Sequence, residues 1–171
     1  MTDLADRITA LEDIEAIKRL KHDYFFFCDH KQPQAMRDCF AEGDIKIDYG
    51  RIGRFENREA LVAVFEQLAC ADHIVEMHHA QNPRIDLIDQ ETAKGVWGLY
   101  YFMIDTRQEV ATQLGGFYED EYRKIDGCWK ITATTFNVTS TVITGVGEGI
   151  AKVMFAGRTA PVEVDESAQE K

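Results

Sequence analysis

Four long segments dominate the second half of the chain: 76–88, 92–104, 110–124 and 128–142, parted only by "DQET", "TRQE" and "IDG". Each reads as a strand bounded by turn residues. Connectors this short join antiparallel neighbours, and Asp126-Gly127 is a two-residue hairpin signature. A flat sheet of such strands would leave apolar faces uncovered, so the sheet must curl and find a cover. What precedes residue 76 has to supply that cover.

Residues 4 to about 30 suit the task. Leu11, Ile14, Ile17, Tyr24, Phe25 and Cys28 fall on one arc at helical spacing, although the phenylalanine run hints at a bend near residues 22–25. Pro33 opens a second short helix carrying Met36 and Phe40. Residues 44–50, "DIKIDYG", alternate as a strand, with "RIGRFEN" as hairpin partner. Residues 57–68 form a helix capped by Asn57. The expected fold class is α+β: a curved mixed or antiparallel sheet wrapped around N-terminal helices. Residues 1–160 make one domain, with 142–160 as a lid or an arm on another subunit and 161–171 as an acidic tail.

Thirty acidic against nineteen basic residues give a net charge of −11, which repels nucleic acid and anionic membranes. Apolar stretches are too short to span a bilayer, and the charged N-terminus lacks a secretory core, so the expected location is cytoplasmic. Cys28, Cys39, Cys70 and Cys128 are scattered, which argues against a disulfide framework or a zinc knuckle.

Within this frame a few polar residues stand out. Asp29 projects beside Leu11 and close to Phe25 on the helical wheel, inside the apolar arc. A carboxylate there either escapes to solvent at the helix end or faces a polar-floored cavity and orients a basic partner. His78 or His79 in "MHHAQNP" is the obvious partner. Strand alternation groups His79 with Met77, Ile85 and Leu87, but Pro83 can reset the register through a bulge, so parity leaves the choice open. Adjacent strand residues point apart, which makes the pair a poor metal site. Tyr24, Tyr49, Tyr100 and Tyr101, with Trp97, Phe102, Phe117 and Phe136, suit either a plain aromatic core or a pocket for a flat, hydrophobic ligand.

These residues resemble the SnoaL-like branch of the nuclear transport factor 2-like superfamily, a cone-shaped α+β barrel. The nearest likeness is to its scytalone dehydratase, bile-acid 7α-dehydratase and hexachlorocyclohexane dehydrochlorinase members. The resemblance runs from residue 4 to about 142. It rests on Ile17, Leu20, Tyr24 and Asp29 in the opening helix, the hairpin from Asp48 to Gly53, His78 with Asn82, and "YEDEYRKIDGCWKI" from Tyr118 to Ile131.

It implies that Asp29 pairs with His78, which abstracts a proton, and that His78 rather than His79 is the working residue. It implies Tyr24 as the pocket tyrosine that assists an oxygen, and Tyr49 as a group that positions a water on a carbonyl. Asp105 lies near a strand end where the bile-acid enzyme has an acidic residue. Other family groups are missing: Asn137 stands near the place of an arginine, Met103 near that of a second histidine, and Gly116 and Tyr118 replace a serine and an asparagine. The base pair is kept while the substrate-specific groups are not.

The expected activity is a cofactor-independent, metal-free lyase acting on a small hydrophobic or ring substrate. His78, Asp29 and Tyr24 are catalytic; Tyr49, Tyr101, Asn137, Trp97, Asp105 and Tyr118 bind substrate. Tyr24, Tyr49, Tyr101 or Asn137 would donate to the developing enolate. A binding or association module and a ketosteroid-type isomerase are the competing readings. The sheet's outer face must be covered, so a homo-oligomer, trimer or dimer, is expected.

Overall fold

A computed structural model of the chain describes residues 3–147 and Val153. Helix α1 is Leu4–Asp29, with the Asp3 carboxylate accepting from the Leu4 amide at 2.6 Å. It runs through residues 22–25 as regular helix, so the phenylalanine run does not bend it. Ile17, Tyr24, Phe25 and Cys28 are buried as the arc predicts. Leu11 is not: it is 65% exposed, while Asp13 and Lys21 join the buried stripe. Leu11 and Asp29 share a wheel position but lie five turns apart, about 27 Å along the axis. At the Asp29 level a strand lies alongside the helix margin; the Leu11 side chain meets solvent.

The end of α1 has a particular geometry. The Lys31 amide donates to the Cys28 carbonyl (3.1 Å) and the Gln32 amide to the Phe27 carbonyl (2.9 Å), a paired closure of the last turn. Lys31 occupies the left-handed position of this motif, with φ of 54°. Glycine takes that conformation freely; a side chain there costs on the order of 1 kcal/mol.

Helix α2 is Pro33–Arg37, with Pro33 at its first turn and Met36 buried. Phe40 follows the helix instead of lying on it, and bridges to Ile131. Strands β1, Lys46–Asp48, and β2, Arg54–Phe55, form the expected hairpin. Helix α3 is Arg58–Leu68, where the Asn57 side chain accepts from the Ala60 amide at 2.8 Å.

Strands β3 (Ile74–Leu87), β4 (Thr92–Asp105), β5 (Val110–Ile125) and β6 (Cys128–Gly145) follow. Asp126 and Gly127 both have positive φ, 49° and 79°, as the tight β5–β6 turn requires. The sheet order is β2-β1-β6-β5-β4-β3, with β1 parallel to β6 and every other pair antiparallel. The sheet is therefore mixed, and it stays open, with β2 and β3 as edges. Residues 142–145, expected at the start of a lid or arm, belong to β6, because Val110 to Gln113 pair with them. The rest of that expectation, residues 148–160 apart from Val153, lies outside the described residues, as does the tail 161–171. Among the described residues no helix is long and apolar enough to cross a membrane.

Beneath α1 the core encloses an ion pair. Lys21 Nζ lies 2.7 Å from Asp120 Oδ2, and both side chains are fully buried. Asp120 also accepts from the Tyr122 and Thr134 hydroxyls at 2.6 Å each, and Trp97 Nε1 donates to the Tyr122 oxygen at 2.9 Å. The Lys21 ammonium sits over the Tyr118 ring, 3.8 Å from its centroid. Desolvation pushes the Lys21 amine down, against the opposing pull of Asp120.

Candidate active site

The two histidines part company at a bulge. In the first half of β3 the even residues Glu76, His78 and Ala80 turn inward, while Met77 and His79 are exposed. The register with β4 shifts between Gln81 and Arg84, where Asn82 has φ of 48°. Past this bulge the odd residues Ile85 and Leu87 turn inward. Simple alternation therefore groups His79 with the wrong partners. It is His78 that faces in.

His78 meets Asp29 there. The Asp29 carboxylate accepts from His78 Nδ1 at 2.6 Å and from the His78 backbone amide at 3.1–3.2 Å. Asp29 sits at the last turn of α1 and His78 on edge strand β3, so one carboxylate clamps both ring and backbone. The side chains are 17% and 13% exposed, respectively. With Nδ1 donating to Asp29, Nε2 is the ring nitrogen left for a ligand. Phe25 stacks on the imidazole (5.2 Å between centroids, 9° between planes), and Tyr101, paired with His78 across β3 and β4, packs at 4.7 Å.

A cavity of about 250 Å³ lies between α1, α3 and the inner sheet face, and His78 forms part of its wall. Tyr24, Tyr49, Tyr101, Tyr118 and Glu76 supply its other polar edges; Leu61, Phe65, Met103, Leu114 and Phe136 are among its apolar lining. Tyr49, at the end of β1, and Tyr24, on α1, share a hydroxyl–hydroxyl bond of 2.9 Å. Burial pushes the phenols of Tyr24, Tyr49 and Tyr118 up, so all three are neutral donors or acceptors.

Three expected ligand-binding residues lie elsewhere. Trp97 is sealed in the Lys21–Asp120 network. Asp105 is buried at the end of β4, where its carboxylate accepts from the Arg107 and Gln108 amides at 2.9 Å and closes the turn. Asn137 follows inward-facing Phe136, so alternation turns it to the outer face, where it donates to Glu119 at 3.3 Å. Asn137 thus has no route to an enolate in the cavity. Tyr101 lines the cavity, but its hydroxyl donates to Glu76 Oε2 at 2.8 Å, so its proton is already engaged.

Glu76 and Lys31 were not anticipated. Glu76 shares the His78 face two residues away, a relation strand alternation could have found. Lys31 carries no local sign. Among the described residues no three His, Cys, Asp or Glu side chains converge as a metal-ligand set.

Solved structures share this architecture. A scytalone dehydratase-like protein from Novosphingobium aromaticivorans is 25% identical, covering 80% of this chain and 90% of its own, with a TM-score of 0.74. A hexachlorocyclohexane dehydrochlorinase from Novosphingobium barchaimii is 17% identical over 86% of this chain and 98% of its own, with a TM-score of 0.75. A nuclear transport factor 2-like protein with a cystatin-like fold, also from N. aromaticivorans, is 18% identical over 81% and 91%, with a TM-score of 0.67. The model of the SnoaL-like domain matches residues 9–135, most of the chain. With that match the chain belongs to the SnoaL-like domain family.

Proposed function

We propose that the chain is a dehydratase-type lyase in which His78, oriented by Asp29, removes a proton α or vinylogous to the carbonyl of a small hydrophobic or ring substrate. The observation that carries this reading is the 2.6 Å Nδ1–Oδ1 contact on the wall of a largely apolar cavity. Asp29 holds the imidazole with Nε2 free as base and stabilises the imidazolium that forms. The Tyr24–Tyr49 pair uses one of its two phenolic protons in their mutual bond; the other donates to the developing enolate oxygen. The carbon–oxygen bond at the β position then breaks, and the imidazolium returns its proton to the departing hydroxide. Water and an enone result, and the imidazole is neutral again. The carbonyl holds the charge, so the step requires no cofactor.

The modest cavity suits a molecule of one or two rings. 3-Hydroxy-1-tetralone is a direct probe, since loss of water yields a dienone that tautomerises to 1-naphthol, detectable by fluorescence. Turnover by the native chain, abolished in His78→Ala, is the expected result; equal rates for the two would remove the mechanism. The apolar lining favours a second reading, a module that binds such a ligand without turning it over, and tight binding with no product would decide for it. On the outer sheet face Met77, Val96, Tyr100 and Phe117 are exposed, which supports association with further copies of the chain. Light scattering should give a dimer or trimer; a monomer at micromolar concentration would refute this.

A further inference from the structure

Glu76 lines the cavity and is paired with Lys31, and neither has a part in the proton transfer. Lys31 Nζ is 2.7 Å from Glu76 Oε1, and both side chains are 7% exposed. The other carboxylate oxygen, Oε2, is 2.8 Å from the Tyr101 hydroxyl. A carboxylate in an ion pair has no proton to give, so this hydrogen bond has one polarity: Tyr101 donates and Glu76 accepts. The Tyr101 oxygen then meets the cavity with lone pairs alone. Burial, and after it the neighbouring Glu76 charge, push the Tyr101 phenol up, so the proton stays in place.

The backbone adds a second observation. Lys31 occupies the left-handed position closing α1, where glycine would be free of strain. Strain is thus accepted at the residue whose ammonium anchors Glu76.

We infer that the Lys31–Glu76 pair makes the Tyr101 hydroxyl an obligate acceptor beside His78, so that this part of the cavity selects a ligand that presents a hydroxyl group. A ligand hydroxyl donating to Tyr101 is held next to the imidazole, 4.7 Å from the Tyr101 ring. A halide at the same place is itself only an acceptor, and would face lone pairs with no donor to meet it. Tyr101 is here a specificity residue, and Glu76 and Lys31 are positioning residues. That the held hydroxyl is the one that leaves rests on the dehydratase reading; its recognition does not.

Three probes of one skeleton separate the two ideas, because none is a β-hydroxy ketone and none can be turned over. Binding of 2-tetralol, 1-tetralone and tetralin to the whole chain is measured by calorimetry. The native chain is expected to bind 2-tetralol about fivefold to tenfold more tightly than tetralin, the effect of one buried hydrogen bond. Tyr101→Phe should bring that ratio to within about twofold while keeping the preference for 1-tetralone over tetralin. Glu76→Gln can donate its amide to Tyr101 and release the phenolic proton, so preference should move from the alcohol toward the ketone. Ratios within one protein are insensitive to general loss of folding. Equal binding of 2-tetralol and tetralin by the native chain, or an unreduced alcohol preference in Tyr101→Phe, overturns the proposal. An alcohol preference without turnover of 3-hydroxy-1-tetralone would sink the dehydratase reading alone; turnover without that preference would sink only this one.

Discussion

Helix α1 contributes a side chain to two acid–base pairs, one ionic and one a hydrogen-bonded carboxylate–imidazole pair, and they are built for different ends. Lys21–Asp120 lies in mid-helix with neither side chain exposed, and Tyr122, Thr134 and Trp97 close the network around it. Asp29–His78, at the helix end, is less buried, and the imidazole looks onto a cavity. The deeper pair is the more strongly desolvated, yet it has no opening through which a ligand could reach it. The comparison teaches that depth of burial alone does not mark chemistry. A pair of polar side chains becomes reactive where one of its atoms is left without a protein partner beside a space.

Substitutions can break this contrast. Lys21→Met leaves the Asp120 carboxylate buried without its counter-charge and should cost about 3–5 kcal/mol of unfolding free energy by urea denaturation. Turnover per folded molecule should change little. If the folded variant instead loses activity as His78→Ala does, the sealed pair is not merely structural. His78→Ala should lower turnover of 3-hydroxy-1-tetralone by about a thousandfold, and Asp29→Asn by about a hundredfold, with melting temperatures nearly unchanged. A large loss of stability in either would place this pair with Lys21–Asp120 as a fold-holding element.

A subtler test spans both regions. Burial pushes the phenols of Tyr24, Tyr49, Tyr101, Tyr118 and Tyr122 above their ordinary value near 10. A folded-state value raised in this way gives stability that is complete below pH 10 and lost as pH rises through the folded values, because the unfolded chain releases those protons first. Melting temperature should therefore fall progressively above pH 10, with phenolate absorbance at 295 nm appearing together with unfolding. Phenolate signal well before unfolding would mean that the cavity tyrosines are open to solvent. If only Tyr122 stays protonated, the contrast between the sealed and open ends is sharper than proposed.

The resemblance between expectation and structure is uneven for a physical reason. Strand boundaries, the Asp126-Gly127 turn, the Asn57 cap and the burial of Tyr24 and Phe25 all depend on neighbours a few residues away, and were legible. Leu11 was misjudged because the wheel gives an angle but not which stretch of the helix is covered. Trp97 and Asn137 are aromatic and polar in the right strands, but one is sealed in the core and the other faces outward. His78 was singled out by resemblance, since the bulge at Asn82 exchanges the faces of β3 between its two halves.

By itself the sequence determined the order and type of the elements, and that a curled sheet must be covered by the N-terminal helices, because periodicity and turn chemistry act over short distances. Resemblance named Asp29 and His78 as partners, but only the tertiary structure decided the contact they make, that Lys31 holds Glu76 and that Tyr101 gives its proton away. Those bonds join residues 49, 45 and 25 positions apart. Distance and direction across a cavity are set by how helix and sheet pack, which no local pattern records.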